Sequence, residues 1–130
     1  MQQLAFEAAW DKTIAPIDRA NIISLFQETV DKNEQDLVTV PIRQAVNHNE
    51  DLLVMVLIHN FSNADFPLTD VHASYTEADE LIAELDFSFP QLNIRQKTSI
   101  PWTFIFPKVT WQKSPSFENG RLQVSKKKKN

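Results

Sequence analysis

Histidine and acidic side chains are the residues of this sequence that could support metal-dependent or acid–base chemistry. Two of the three histidines, His59 and His72, lie in segments that predict β-strands. If those strands pair, the imidazoles become neighbours, and Asp70 or Asp65 could add an oxygen ligand to a metal. One functional hypothesis is therefore a small metal-dependent or hydrolytic enzyme that uses His59, His72 and Asp70.

The spacing of these residues favours a simpler interpretation. No H-E-x-x-H or comparable ligand spacing occurs, so we predict no metal site and expect each histidine to lie at a strand end or on a polar face in solvent. The acidic stretch 77–80 is expected to be a solvated turn, because paired carboxylates act as acid and base only when burial separates their pKa values. With no cysteine, no G-x-S-x-G motif and a single glycine, the sequence predicts no catalytic residue and no cofactor. We therefore expect a protein that is not an enzyme.

Aromatic side chains near predicted loops are candidates for a binding surface. Phe61 and Phe66 flank a loop, and Trp111 lies beyond the proline that ends a predicted strand. An exposed aromatic side chain of this kind marks a protein interface. By contrast, the alternating rings of Trp102, Phe104 and Phe106 are expected in the core. Phe61, Phe66 and Trp111 are therefore the predicted interface residues.

The charge distribution bears on the class of partner. Four of the 13 basic residues are the lysines of the run 126–129. The 9 remaining basic residues face 17 acidic ones, which leaves a net charge of −8 on the rest of the chain. Such a surface repels phosphate backbones, and the arginines are too dispersed to form a basic stripe. Nucleic acid is not an expected partner.

The periodicity of the apolar residues predicts a mainly β protein with one helix. Residues 16–32 show the spacing of an amphipathic helix, with Ile22, Ile23, Phe26 and Val30 on the apolar face. After Asn33 the period changes to two, and six or seven short strands follow, a pattern typical of a single antiparallel β-sandwich of the immunoglobulin type.

Two strand segments carry more specific information. The segment 52–58 is apolar at odd and even positions alike, so it predicts the central strand. Pro41 has no N–H for a β-ladder, so its strand should lie at an edge or contain a bulge. Arg43, in the same strand, could pair with an acid on the helix or on a neighbouring strand.

The distribution of apolar and basic residues along the chain predicts the limits of the domain and the cellular compartment. We predict one domain over residues 1–125 and a disordered, lysine-rich tail over 126–130. The N-terminus shows no secretory signal, so we expect a cytoplasmic protein. The longest uncharged apolar run has seven residues, far fewer than the roughly 20 that a membrane-spanning helix requires.

Four segments, in this order along the chain, carry a resemblance to a known family. They are Trp10-Asp11-Lys12 with Arg19; Pro41-Ile42-Arg43 followed by Asn47-His48; residues 53–60; and Ser99-Ile100-Pro101-Trp102-Thr103-Phe104-Ile105-Phe106-Pro107. Of these, Pro41-Ile42-Arg43 and Pro101-Trp102-Thr103-Phe104 are the distinctive ones. From about Phe6 to Val124 the chain resembles the SLAP domain of Gram-positive bacteria.

The resemblance implies a cellular process rather than a reaction. The family is associated with the accessory Sec secretion system and with the assembly of S-layer proteins, and it supplies no catalytic residue for this chain. A protein-binding module that acts on an exported protein or a secretion component is therefore expected. Binding would use Phe61 and Phe66 as apolar anchors, or the addition of a strand to an open sheet edge. A purely structural module is a further alternative to the enzyme described above.

Overall fold

The computed structural model describes residues 2–30 and 36–127 of the chain. Its strands are β1 (Gln3–Leu4), β2 (Leu37–Val46), β3 (Asp51–Asn60), β4 (Phe66–Pro67), β5 (Val71–Glu77), β6 (Glu80–Phe87), β7 (Asn93–Ile94), β8 (Thr98–Pro107) and β9 (Gly120–Lys126). Its helices are α1 (Ala8–Thr13), α2 (Pro16–Thr29) and a 3₁₀ turn at Lys108–Thr110. The protein is mainly β, as predicted, and six of the strands have seven or more residues.

The strands form three sheets. The largest has the order β1-β8-β3-β2, a second has the order β6-β5-β9, and β4 pairs with β7. β3 has a neighbour on each side, which confirms the central strand predicted for 52–58. β2 is an edge strand and its register shifts between Pro41 and Arg43, so both features expected of the proline are present. The short β1 pairs parallel to β8, whereas an entirely antiparallel arrangement was expected.

The hydrophobic core receives side chains from both larger sheets. In the four-stranded sheet, Val54 lies opposite Phe104 and Val56 opposite Trp102 on the inner face. Buried residues of the three-stranded sheet, such as Ala73 of β5, belong to the same cluster. Alternation along each strand therefore places one face in this core and leaves the other face of each sheet to be covered by helices or solvent.

Two helices lie near the N-terminus, where the sequence predicted one. α2 begins at Pro16, which suits a first-turn position because its missing N–H would have no partner there. α1 begins after Glu7, whose Oε1 accepts hydrogen bonds from the backbone N–H groups of Ala9 (2.6 Å) and Trp10 (3.4 Å). Within the described residues, no helix is long and apolar enough to cross a membrane.

The limits and apolar face of the predicted helix need correction. α2 ends at Thr29, and residues 31–35 of the sequence lie outside the described structure. Ile23 is 38% exposed, although the periodicity placed it on the buried face, whereas Ile22 is buried. At 100° per residue the two neighbours point in different directions, so only one of them can face the sheet.

The C-terminal end of β9 corrects the predicted tail. Lys126 is the last residue of β9, pairs with Val71, and its Nζ donates a 2.8 Å hydrogen bond to the carbonyl of Thr69. Lys127 forms a 3.3 Å ion pair with Asp86. Residues 126 and 127 are therefore part of the fold, and positions 128–130 of the predicted tail lie outside the described residues.

Candidate functional site

His59 is buried in a hydrogen-bonded network between α2 and the four-stranded sheet. Its Nε2 lies 2.7 Å from Thr29 Oγ1, and its Nδ1 lies 2.6 Å from Ser99 Oγ. The ring stacks on Phe61, with centroids 4.9 Å apart. All three polar side chains are buried, so the expectation of a solvated His59 is wrong.

The neighbouring hydrogen bonds assign the protons of this network. Thr29 donates its hydroxyl to the carbonyl of Leu25 at 2.7 Å, so Thr29 Oγ1 accepts from an Nε2–H of His59. Nδ1 then accepts from the hydroxyl of Ser99, whose oxygen also accepts from Nε2 of Gln2 at 3.0 Å. Burial lowers the pKa of His59 to about 4, which keeps the imidazole neutral. Because Ser99 and His59 are fully buried and no acidic side chain within residues 2–30 and 36–127 joins the network, we assign it a structural role.

His72 lies on the outer face of the other large sheet, between two carboxylates of β6. Its Nδ1 is 2.7 Å from Asp86 Oδ1 and its Nε2 is 2.8 Å from Glu84 Oε1. The hydrogen bond to Asp86 raises the pKa of His72; partial burial opposes the rise, and Glu84 adds to it. Both ring nitrogens are therefore engaged with acids, and the expectation of a freely solvated imidazole is wrong for this residue as well.

The structure does not assemble the residues of the enzyme hypothesis. His59 belongs to β3 and His72 to β5, and these strands lie in different sheets. Asp70 is an exposed turn residue with a φ of 52° immediately before β5. Among the described residues, no group of three histidine or acidic side chains could hold a metal ion. The two strands do not pair, so the condition under which His59 and His72 would be neighbours is not met.

Glu77 corrects the prediction of a solvated acidic turn. The side chain is buried, and Oε2 accepts from the Tyr75 hydroxyl at 2.7 Å and from the Phe117 N–H at 2.9 Å. Oε1 accepts from the N–H (2.8 Å) and the hydroxyl (3.1 Å) of Ser116. Burial raises the pKa of Glu77, but these hydrogen bonds outweigh it and lower the pKa overall. Glu77 thus fixes the loop before β9.

The three predicted interface residues lie in different places. Phe61 is only 7% exposed, so the prediction of an exposed anchor is wrong for this ring. Phe66 is half-buried, with Nζ of Lys126 4.9 Å from its ring centroid. Trp111 is also half-buried, and its Nε1 donates to the carbonyl of Phe106 at 3.0 Å. Phe106 pairs with the start of β3 whereas Phe61 follows its end, so Trp111 and Phe61 lie at opposite ends of the sheet.

A groove with several apolar lining residues lies between the helices and the outer face of the four-stranded sheet. Its volume is about 480 Å³, within the range typical of ligand pockets. The helical wall is formed by Trp10, Thr13, Ile14, Ala15, Asp18, Asn21 and Ile22, and the sheet wall by Ile42, Arg43 and Met55. We call these ten residues the helix–sheet groove.

Interactions outside the groove hold its helical wall in place. Arg19 Nη2 of α2 lies 2.8 Å from Asp11 Oδ1 of α1 and donates a 2.9 Å hydrogen bond to the Asp11 carbonyl. Trp10 also packs against the hydrophobic core, where it stacks on Trp102 of β8 with centroids 6.1 Å apart and planes 18° from parallel. The α1–α2 pair is therefore tied together and anchored on the core, and the end of α1 and the first turns of α2 line the groove with Ile42 and Arg43 of the β2 bulge.

The sheet surface next to the groove is exposed and apolar. α2 covers the part that carries His59, through Thr29 and through Phe26, whose ring centroid lies 6.0 Å from that of His59. Leu57, two residues away on the same face, is also fully buried. On the same face, Met55 and Leu53 are only partly buried, and their neighbour Ile105 is 47% exposed. The helices thus cover one half of this face and leave the other half open beside the groove.

The sequence contained only indirect signs of this site. Trp10, Ile42 and Arg43 had been singled out because they carry the family resemblance, and the structure brings them together in the helix–sheet groove. α1 has six residues, too few for helical periodicity to reveal its apolar face. The groove could therefore not be placed from the sequence.

Comparison with known proteins identifies the family. A family model described as the SLAP domain matches residues 4–126. Neither the curated proteins nor the solved structures include a significant match to the chain. The matched range spans α1, α2 and the strands from β2 to β9. Since the match covers nearly the whole sequence, the chain belongs to the SLAP domain family.

Proposed function

We propose that this SLAP domain is a non-enzymatic module that binds exported cell-surface proteins or secretion components during their secretion or assembly. Membership in the family supports a role connected with secretion or the cell surface. As part of the proposal, the domain acts in the cytoplasm, before the exported protein crosses the membrane. The observation that carries the proposal is the helix–sheet groove, in which Trp10, Ile42 and Arg43 converge.

The lining of the groove suits an apolar side chain of the partner. Ile14, Ile42 and Met55 offer an apolar lining, and Ile17 is 71% exposed in the first turn of α2. Full burial of one large apolar side chain contributes about 1.5–3 kcal/mol. Since association itself costs at least about 4 kcal/mol, one or two such side chains support only a weak, reversible complex. A transient interaction suits a module that must release an exported chain.

We propose in addition that the two larger sheets form an immunoglobulin-like β-sandwich. Their common core supports this arrangement, as does the edge-to-face contact of Phe87 of β6 with Phe104 of β8 at 5.3 Å. Nuclear Overhauser effects between these two rings test the contact, and their absence in a folded sample would contradict it.

Site-specific photo-cross-linking in the native cell tests the binding function. Thr13→p-benzoylphenylalanine places the cross-linker on an exposed groove residue, and Gln123→p-benzoylphenylalanine places it on the exposed face of β9 as the matched control. We expect the probe at position 13 to capture exported surface proteins or secretion components, and the control not to capture them. The proposal fails if position 13 yields no such product or if both positions yield the same set.

A further inference from the structure

Arg43 is the basic residue of the helix–sheet groove. Among the described residues, no carboxylate forms the ion pair with Arg43 that the sequence analysis considered. Several other basic residues are paired, including Arg19 with Asp11 and Lys108 with Glu50. Arg43 is exposed and follows the register shift of β2, and such a bulge redirects side chains away from the regular pleat.

Asp18, the only acidic residue of the groove, already has a partial counter-charge. It lies in the first turn of α2, where the unpaired N–H groups carry partial positive charge. Ala15 at the N-cap provides no side-chain hydrogen bond to those groups. The side chain of Arg43 is therefore the less compensated charge in the groove, within a protein whose formal net charge is −4.

We infer that the helix–sheet groove recognises a peptide segment of the exported partner in which a carboxylate lies beside large apolar side chains. The apolar side chains enter between Ile14, Ile42 and Met55, and the carboxylate pairs with the guanidinium of Arg43. This inference rests on the proposed function and specifies the chemistry of the partner. An arginine suits the role because its planar fork can donate two parallel hydrogen bonds to one carboxylate.

The backbone of β2 favours recognition through side chains over the addition of a long strand. Pro41 has no N–H to donate, and Ile42 has no partner in the register between β2 and β3. A continuous ladder along this edge would therefore be interrupted where the groove lies. Side-chain contacts with Arg43 and the apolar lining remain as the main source of specificity.

Binding of short labelled peptides to the whole chain tests this inference. Fluorescein-labelled peptides share the same leucines and differ only at the flanking positions, which carry Glu, Gln or Lys. We expect the Glu peptide to bind about fivefold more tightly than the Gln peptide, and the Lys peptide more weakly than both. The advantage of Glu should shrink as the salt concentration rises.

Charge reversal in the groove is the decisive comparison. Arg43→Glu should reverse the preference, so that the Lys peptide binds most tightly. Arg121→Glu is the matched control, because Arg121 is an exposed arginine on β9, and it should preserve the preference for Glu. Urea unfolding of both variants checks that the fold is unchanged.

The outcomes separate this inference from the proposed function. If all three peptides bind equally, or if Arg43→Glu keeps the preference for Glu, the inference is overturned even if cross-linking at position 13 still captures exported proteins. Sedimentation that shows a dimer dissociated by Arg43→Glu would also overturn it, since a second copy of the chain would then occupy the groove. Failure of the cross-linking experiment counts against the proposed function itself.

Discussion

Thr29 on α2 and His59 on β3 share a buried 2.7 Å hydrogen bond that joins the helical layer to the centre of the four-stranded sheet. The bond depends on a neutral imidazole, because Thr29 uses its own proton on the carbonyl of Leu25 and leaves its oxygen to accept from His59. The position of α2, and hence of the helical wall of the groove, is thereby connected to the protonation state of one side chain.

Acidification should destabilise the protein through His59. Its pKa is lowered from 6.5 to about 4 in the folded state, so below pH 6.5 the unfolded chain binds a proton that the folded chain does not. Stability from this group is fully present above pH 6.5 and decreases as the pH falls towards 4, by about 3 kcal/mol in total. Urea unfolding across this range, with an NMR titration of the imidazole, measures the effect. Titration of His59 near pH 6.5 in the folded protein would contradict the prediction.

His72 should change the stability of the fold in the opposite direction as the pH rises. Its pKa is raised in the folded state by Asp86 and Glu84, so its contribution is fully present below pH 6.5 and is lost as the pH rises through the raised value. Together with His59, this predicts a stability maximum near pH 6.5. In the variant His72→Gln, the free energy of unfolding should no longer decrease above pH 6.5, but it should still decrease below pH 6.5. An unchanged alkaline decrease in this variant would show that another group is responsible.

Replacement of the buried carboxylate Glu77 should be costly. Each of its oxygens accepts two hydrogen bonds, so Glu77→Gln places an NH₂ group against donors from Tyr75 and Phe117 or from Ser116. We expect a loss of about 2–3 kcal/mol in the free energy of unfolding. The control Glu80→Gln removes an exposed ion pair with Lys113 and should cost at most about 1 kcal/mol. Equal losses in the two variants would refute the role given to Glu77.

A side chain at position 120 should destabilise the protein, because it would collide with the hydroxyl of Tyr75. A Cβ at position 120 would lie 2.5 Å from Tyr75 Oη and 2.9 Å from its Cε1. Gly120→Ala must therefore displace the ring from Glu77, and we expect a loss of about 1–3 kcal/mol. In a Tyr75→Phe background the same change should cost less, because the nearest atom is gone. Strictly additive losses in this double-mutant cycle would argue against the steric coupling.

Much of the fold was predictable because its signals are local. The apolar residues on both faces of β3 identified the central strand, Pro41 indicated an edge strand or a bulge, and the helical spacing from residue 16 identified the start of α2. The turn between β2 and β3 is held locally as well, because Asn47 Oδ1 accepts from the N–H groups of Asn49 and Asp51.

The polar interior was not predictable because its partners are remote in sequence. His59 depends on Thr29 and Ser99, which lie 30 and 40 residues away, and nothing in the neighbouring sequence marks the imidazole as buried. The same reason accounts for Phe61, which looks like a loop residue but is buried against His59. The groove was missed because it exists only once α1 has docked beside β2.

The central claim is that partner binding takes place in the helix–sheet groove. The most direct test is an NMR titration of the labelled domain with a protein captured through position 13, followed at the Trp10 indole N–H and at the backbone N–H groups of Ile42 and Met55. We predict that these signals shift on binding and that Ile14→Asp abolishes the shifts without unfolding the domain. Shifts confined to the surroundings of Phe66 or Trp111, with the groove signals unchanged, would contradict the account.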